Sequence, residues 1–237
     1  MARRCILAVY SHPDDETTVS GGTLMRYVQE GVDVYVMTAT RGEWGTLGTG
    51  GQVISREDLP AVREAELREN LKTYGVNPPL MLDYKDAVLK DADFDEHVGL
   101  ILAEMKRVNP DVVITWGPTG ISHHDDHMAT NKAAEAAFHQ YRETVETEPR
   151  LFYVAVAQGL LDQFNLDIDG PEANPTVVID ITKNKATKIQ GLRNYKSQED
   201  AQEVAGIMET EEWADEELFH QAYPPVTAGV VSTGFWD

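Results

Sequence analysis

Ile6-Leu7-Ala8-Val9-Tyr10-Ser11-His12-Pro13-Asp14-Asp15-Glu16 runs from five apolar residues straight into a polar turn. An apolar run without alternation is what a strand buried on both faces requires, so helices must cover both sides of its sheet. Further β-type runs are Val32–Ala39, Leu80–Leu82, Val112–Trp116, Phe152–Ala157 and Val177–Ile181, most of them continuously apolar as well. Helical spacing separates them. A helix from about Glu16 to Glu30 is stopped by Gly31, and Leu67, Leu71 and Tyr74 repeat ahead of a capping Gly75. Val98, Ile101, Leu102, Met105 and Val108 repeat before Asn109-Pro110, an Ala-rich helix follows Asp126, and Ala201, Val204, Ala205 and Met208 mark another. The alternation predicts an α/β fold with a mainly parallel sheet and helices on both faces. No long linker interrupts the 237 residues, so a single domain over 1–237 is expected.

Charge narrows the partners. Asp and Glu total 40 against 20 Lys and Arg, a formal charge of −20 that repels nucleic acid and anionic lipid. Glu199 to Glu217 holds nine acidic residues and no Lys or Arg, and reads as a solvated helical face. The longest apolar run, Leu151 to Ala157, is far short of the ~20 residues of a membrane span. Arg3 and Arg4 precede only six apolar residues before Ser11, too few for a signal-peptide core. The single cysteine, Cys5, sits in an expectedly buried strand, so no disulfide framework exists and a cytoplasmic location is expected. The Gly-rich stretch from Arg41 to Asp58 is long enough to be a binding loop or lid. Its glycines form no dinucleotide fingerprint, and neither a phosphate-binding loop nor a Gly-x-Ser-x-Gly elbow occurs. That loop and the acidic C-terminal region are candidate interface segments for a homo-oligomer.

Two polar clusters follow predicted strands. One is His12-Pro13-Asp14-Asp15-Glu16; the other is His123-His124-Asp125-Asp126-His127, reached from Val112–Trp116 through Gly117-Pro118-Thr119-Gly120. Ligands of open α/β sheets bind outside the carboxyl ends of strands, so both clusters point to one rim. Pro13 stiffens the turn, and His12 and Asp15 can reach a common metal. With one histidine of the second cluster they make two imidazoles and a carboxylate, the ligand set of catalytic zinc with a vacant position. Asp14 is then available to accept a water proton. The plainer reading makes His-Pro an ordinary turn, with Asp14 or Asp15, and Asp125 or Asp126, capping the helices that follow. His97, His139 and His220 stand alone on predicted helices, where surface or core roles are expected.

The pair of motifs resembles the PIG-L/LmbE-like zinc-dependent de-N-acetylases. Thr40-Arg41-Gly42-Glu43, Arg63-Glu64-Ala65-Glu66, His124 to His127, and Lys188 to Ser197-Gln198 match the family's order over most of the chain. The resemblance implies a Rossmann-like fold and removal of acetyl from N-acetylglucosamine-type sugars or conjugates, small amino-sugar substrates. It implies His12, Asp15 and His127 as Zn²⁺ ligands, Asp14 as general base, and His124, oriented by Asp126, as the imidazolium that meets the tetrahedral intermediate. Arg63 and Trp44 are candidate sugar contacts, with interior packing as the other role for Trp44. The sequence departs from the family at Asp125, where many members have proline, and at Ser122, where some have tyrosine. Tyr195 is a candidate source of the missing hydroxyl. His123 offers the same chemistry shifted by one position, but His124 keeps the His-x-Asp-His spacing. Two rival functions share the ligand set: a non-haem iron enzyme using a two-histidine, one-carboxylate triad, and a non-catalytic metal or sugar-binding module.

Overall fold

The computed structural model describes residues 3–156, 160–161, 166–226 and 231–237. Seven strands form one sheet: β1 (Cys5–Tyr10), β2 (Asp33–Thr40), β3 (Leu80–Tyr84), β4 (Val112–Thr115), β5 (Arg150–Ala155), β6 (Val177–Asp180) and β7 (Glu216–Tyr223). Their order is β3-β2-β1-β4-β5-β7-β6. β1 to β5 are parallel, and β7 runs antiparallel between β5 and β6. The helices are α1 (Asp15–Gln29), α2 (Leu59–Tyr74), α3 (Phe94–Val108), α4 (Asp125–Arg142), α5 (Lys185–Asn194) and α6 (Glu199–Thr210). The expected α/β architecture with a mainly parallel sheet is present.

The period of two along β1 explains why its apolar run is continuous. Ile6, Ala8 and Tyr10 enter one core with Leu24, Leu67, Leu71 and Leu192 of α1, α2 and α5. Leu7 and Val9 enter the other with Val98, Ile101, Met105, Ala137 and Phe138 of α3 and α4. Burying each large apolar side chain contributes roughly 1.5–3 kcal/mol, so both faces hold the strand in place.

The strand order reverses direction at β1. From there the chain proceeds outward to β2 and β3, then returns to β4 on the other flank of β1. This opens a crevice beyond the ends of β1 and β4, which pair from Ile6↔Val112 to Val9↔Thr115. The two polar clusters begin at those two ends.

Three expectations need correction. β7 was hidden in the acidic C-terminal run, which is helical only as far as Thr210 before a short 3₁₀ turn. Its inward positions are Glu217, Phe219 and Gln221, so two polar residues mask the alternation. Glu217 is not solvated: it is buried and accepts from Gly22 N at 3.0 Å, Thr23 N at 2.7 Å and Lys188 Nζ at 2.6 Å. Gly22 lets Ile181 pack closely against α1, since a Cβ there would lie 2.6 Å from Ile181 Cβ. His220 lies on β7 rather than on a helix. β5 begins two residues earlier than expected, and Ala157, placed in that strand by the sequence reading, lies outside the described residues.

His97 illustrates how burial tunes stability. It lies 2% exposed on α3, its ring 5.0 Å from that of Tyr84, with no partner for Nε2 among the described residues. Desolvation lowers its pKa to about 4. The unfolded chain therefore binds the extra proton first as pH falls, and stability present above about pH 6.5 is lost toward pH 4. Lowering the pH from about 7 to about 5 should remove about 2 kcal/mol of His97-dependent stability. Denaturant titrations should show that much less pH dependence in His97→Phe than in the native chain; equal slopes would contradict the buried neutral state.

Candidate metal centre and pocket

The first cluster folds back on itself. Asp15, the first residue of α1, turns Oδ2 onto the amides of His12 at 2.8 Å and Ser11 at 3.1 Å. Asp14 precedes it at φ 102°, in the left-handed region, and makes no side-chain cap bond. A non-glycine residue there costs on the order of 1–3 kcal/mol and persists only when its surroundings hold it. Glu16 Oε2 accepts from Asp14 N at 3.0 Å, and Arg63 Nη2 donates to Asp14 Oδ2 at 2.7 Å. Neither aspartate is spent on capping α1.

α4 carries the second cluster to the same place. Its N-cap is His124, whose Nδ1 accepts from Asp126 N at 3.2 Å, so in the neutral ring the proton sits on Nε2. His127 is sandwiched, its ring 3.9 Å from and nearly parallel to Trp116 and 4.6 Å from His124. His127 Nδ1 donates to Gly120 O at 3.0 Å, leaving the Nε2 lone pair 3.6 Å from Asp15 Oδ1. His12 Nδ1 lies 3.6 Å from Asp15 Oδ2, while His12 Nε2 faces Asp86 Oδ1 at 3.1 Å and Asp126 Oδ2 at 3.3 Å.

Two sets of three donors converge within 4.8 Å: His12, Asp15 and His127, and His12, His124 and Asp126. Hydrogen bonding separates them. Asp126 already accepts from Ala87 N at 2.7 Å and Leu89 N at 3.1 Å, and His124 Nδ1 is engaged as a cap. Asp15 Oδ1 faces only the imidazole. The separations of 3.6 Å, from Oδ1 to His127 Nε2 and from Oδ2 to His12 Nδ1, are too long for hydrogen bonds and close to the ~3.3 Å edge of a tetrahedron with ~2.0–2.1 Å metal bonds. The second ring nitrogens of His12 and His127 donate to carboxylates and a carbonyl, as metal-binding imidazoles usually do. Burial opposes a charge on His12, yet hydrogen bonds to Asp126 and Asp86 push it up to about 10, so a divalent cation bound there displaces a proton. Burial lowers His127 to about 4, keeping it neutral as a ligand must be. The residues fit a metal ion.

A cavity of about 300 Å³ opens over these donors, lined also by Asp14, Trp44, Arg63, Asp86, His124, Gln198 and Asp200. Burial raises the Asp14 carboxyl well above its usual range, with Arg63 working against the rise.

Residues 7–138, more than half of the chain, match the family model described as PIG-L, GlcNAc-PI de-N-acetylase. The chain belongs to the PIG-L family. It is 33% identical over 196 residues to a 1D-myo-inositol 2-acetamido-2-deoxy-alpha-D-glucopyranoside deacetylase of Mycobacterium sp. (strain KMS), covering 74% of this chain and 62% of that protein. The chain thus spans less than two thirds of that relative's length. It is 30% identical over 223 residues to a probable N-acetyl-alpha-D-glucosaminyl L-malate deacetylase 2 of Bacillus anthracis, covering 91% of this chain and 94% of that one. Among solved structures, the 4-carboxy-2-hydroxymuconate hydratase GalB of Pseudomonas putida KT2440 superimposes with TM-score 0.72 at 18% identity, covering 96% and 100% of the two chains. The N,N'-diacetylchitobiose deacetylase of Pyrococcus horikoshii does so with TM-score 0.68 at 22% identity, covering 93% and 84%. At those identities the likeness is one of fold.

Within this PIG-L family chain, the structure brings His12, Asp14, Asp15, Arg63, His124 and His127 to one pocket. Three sequence expectations change. The Asp126 carboxylate does not orient the His124 ring; it holds His12 and the amides of Ala87 and Leu89. Tyr195 is fully buried, donates to Glu16 Oε1 at 2.7 Å and does not line the pocket. Arg63, expected to contact sugar, lines the pocket but spends its guanidinium on Asp14, Pro13 O and Gly42 O. His123 turns away to Asp167 O at 3.1 Å. Trp44 is not interior packing, being 65% exposed at the mouth.

Asp86 was missed by the sequence reading. It sits just past β3, a third strand end on the same rim, and the strand-end rule that exposed the two histidine clusters points to it too. Its carboxyl is held below the usual range: burial raises it, but His12 and Trp44 N more than offset that. Asp86→Asn should weaken metal affinity about 10–100-fold, the usual effect of losing an outer carboxylate, whereas His127→Ala should abolish stoichiometric binding. Metal titration followed by equilibrium dialysis checks both; undiminished affinity in Asp86→Asn would remove it from the centre.

Proposed function

We propose that this chain is a zinc-dependent N-deacetylase acting on an N-acetylglucosamine-type sugar or sugar conjugate. What supports this most directly is one juxtaposition. Three metal donors, a carboxylate clamped by Arg63 and an imidazole with a protonated nitrogen all face one cavity. Relatives named as deacetylases of acetamido-sugar conjugates support the substrate class.

His12, Asp15 and His127 would hold the metal. Zinc, when bound, supplies Lewis acidity toward an acetamide carbonyl and brings the ionisation of water toward neutral pH. Asp14 accepts the proton of the attacking water, and Arg63 fixes which oxygen of Asp14 is turned to it. The water oxygen bonds to the amide carbon. His124 donates from Nε2 to the oxyanion that develops there, a preorganised donor in a half-enclosed site. The C–N bond then breaks, acetate forms, and the leaving nitrogen collects the proton that Asp14 took. Trp116 and Gly120 keep His127 from rotating away.

The fold alone does not choose this chemistry, since a hydratase has it too. The iron reading uses the same triad, and a binding module needs only the metal donors. Neither gives a role to Asp14 clamped beside Arg63 or to His124 at the cavity. A cytoplasmic site of action belongs to the same proposal. Cys5 is buried with its thiol pushed up to about 12, inert toward exchange, and no described helix is long and apolar enough to cross a membrane.

Asp14→Asn should retain the metal and lose acetate release by ~10²–10⁴-fold in kcat, the range for a general base. Acetate and primary amine, measured together on N-acetylglucosamine conjugates, should appear in equal amounts and stop on chelation. Native turnover in fully metallated Asp14→Asn would contradict the assigned base.

A further inference from the structure

The cavity of about 300 Å³ lies at the small end of the ~300–1,000 Å³ usual for ligand pockets. It admits one hexosamine-sized unit over the metal donors, so whatever that sugar is joined to lies at the mouth. The exposed members of the lining, Trp44, Ala87, Ser122, His124 and Asp200, make the mouth. Trp44 presents an exposed indole, and its backbone is pinned: Trp44 N donates to Asp86 Oδ2 at 2.8 Å, and Thr46 N and O pair with the Gln198 amide at 3.3 Å. An exposed indole on a fixed backbone is a platform for a second ring.

Asp200 lines the same cavity from the first turn of α6. Its described hydrogen bond is to the adjacent Ala201 N at 2.9 Å, and no ion pair holds it among the described residues. The other lining carboxylates are matched: Asp14 by Arg63, Asp86 by His12, and Asp15 by its backbone amides and the proposed metal. Arg63 is the one Lys or Arg in the lining, and it is buried and committed. Arg56, outside the lining, lies over the Trp44 ring at 5.3 Å and directs Nη1 to Glu43 O at 2.7 Å and Gly45 O at 2.8 Å. Among the charged side chains of the lining, Asp200 is therefore the one without an ion-pair partner, in a chain of net charge −20.

Resting on the deacetylase reading, we infer that the group joined to the acetamido sugar packs on Trp44 beside Asp200, with an ammonium-bearing amino sugar preferred there and a carboxylate or phosphate disfavoured. This sets the chain apart from a selectivity for malate conjugates, the substrate in the name of its Bacillus anthracis relative.

Three disaccharides of equal shape test it: N-acetylglucosamine joined to glucosamine, to glucose and to glucuronic acid, compared at or below about pH 7 so that the amine is charged. kcat/KM should favour the ammonium over the carboxylate conjugate by about tenfold at low salt, and added salt should compress the ratio. Asp200→Asn should bring the ratio close to one, a within-variant comparison from which a general loss of activity cancels. A ratio unchanged in Asp200→Asn, a preference for the carboxylate, or control of the ratio by Arg56→Ala instead would overturn the inference. Calorimetric binding of the same three compounds to Asp14→Asn separates it from the reading beneath it. The ammonium-first order in binding without acetate release by the native chain would sink the hydrolase reading and leave the charge selectivity. No binding of any compound would sink both.

Discussion

Asp15 is the residue on which the site depends. Its two oxygens do different work: one ties the His12 turn to the start of α1, the other faces an imidazole from α4. A carboxylate that fixes its own loop and still has an oxygen for a metal joins the two strand ends through a single side chain. The parallel pairing of β1 with β4 makes this possible, because only at the reversal of strand order do two consecutive strand ends leave an open crevice between them.

The remaining charges follow from that placement. A buried cation-seeking centre needs its outer groups satisfied, and Asp86 and Asp126 supply this by taking the far nitrogen of His12. Asp126 does a second job, bonding to the backbone after β3, so that Asp86 arrives at His12 from a third strand end. Arg63 from α2 holds Asp14 in a backbone conformation it would not otherwise keep. Outside the centre, Ser197 and Gln198 bind the Gly-rich loop: Gly48 N reaches Ser197 O at 3.3 Å and Thr49 N reaches Lys196 O at 2.9 Å. That stretch is thus docked on its own chain, and it brings Trp44 to the cavity that Asp200 also lines.

Much of this was legible in the residues themselves. The continuous apolar run of β1 required two covering layers, and both histidine clusters announced themselves by following strands. The reading faltered wherever polarity carried structure. β7 escaped because Glu217 and Gln221 face inward, and a buried carboxylate matched to Lys188 looks, in sequence, like surface. Asp200 was hidden for the same reason, one acid among nine, though it alone reaches the pocket. Tyr195 looked like a catalytic hydroxyl but satisfies buried Glu16. The division of labour between Asp126 and His124 depends on a backbone amide and a cap, and sequence spacing carries no information about either.

The proposed metal ligands are His12, Asp15 and His127 rather than the competing set that includes His124 and Asp126. If that choice is wrong, the roles proposed for Asp14 and His124 fall with it. Anomalous diffraction from crystals of the zinc-loaded protein decides it directly. The account predicts one full-occupancy peak about 2.0–2.2 Å from His12 Nδ1, an Asp15 oxygen and His127 Nε2, with the Asp126 carboxylate still on the Ala87 and Leu89 amides. A peak bound by His12 Nε2, His124 and Asp126 would contradict it.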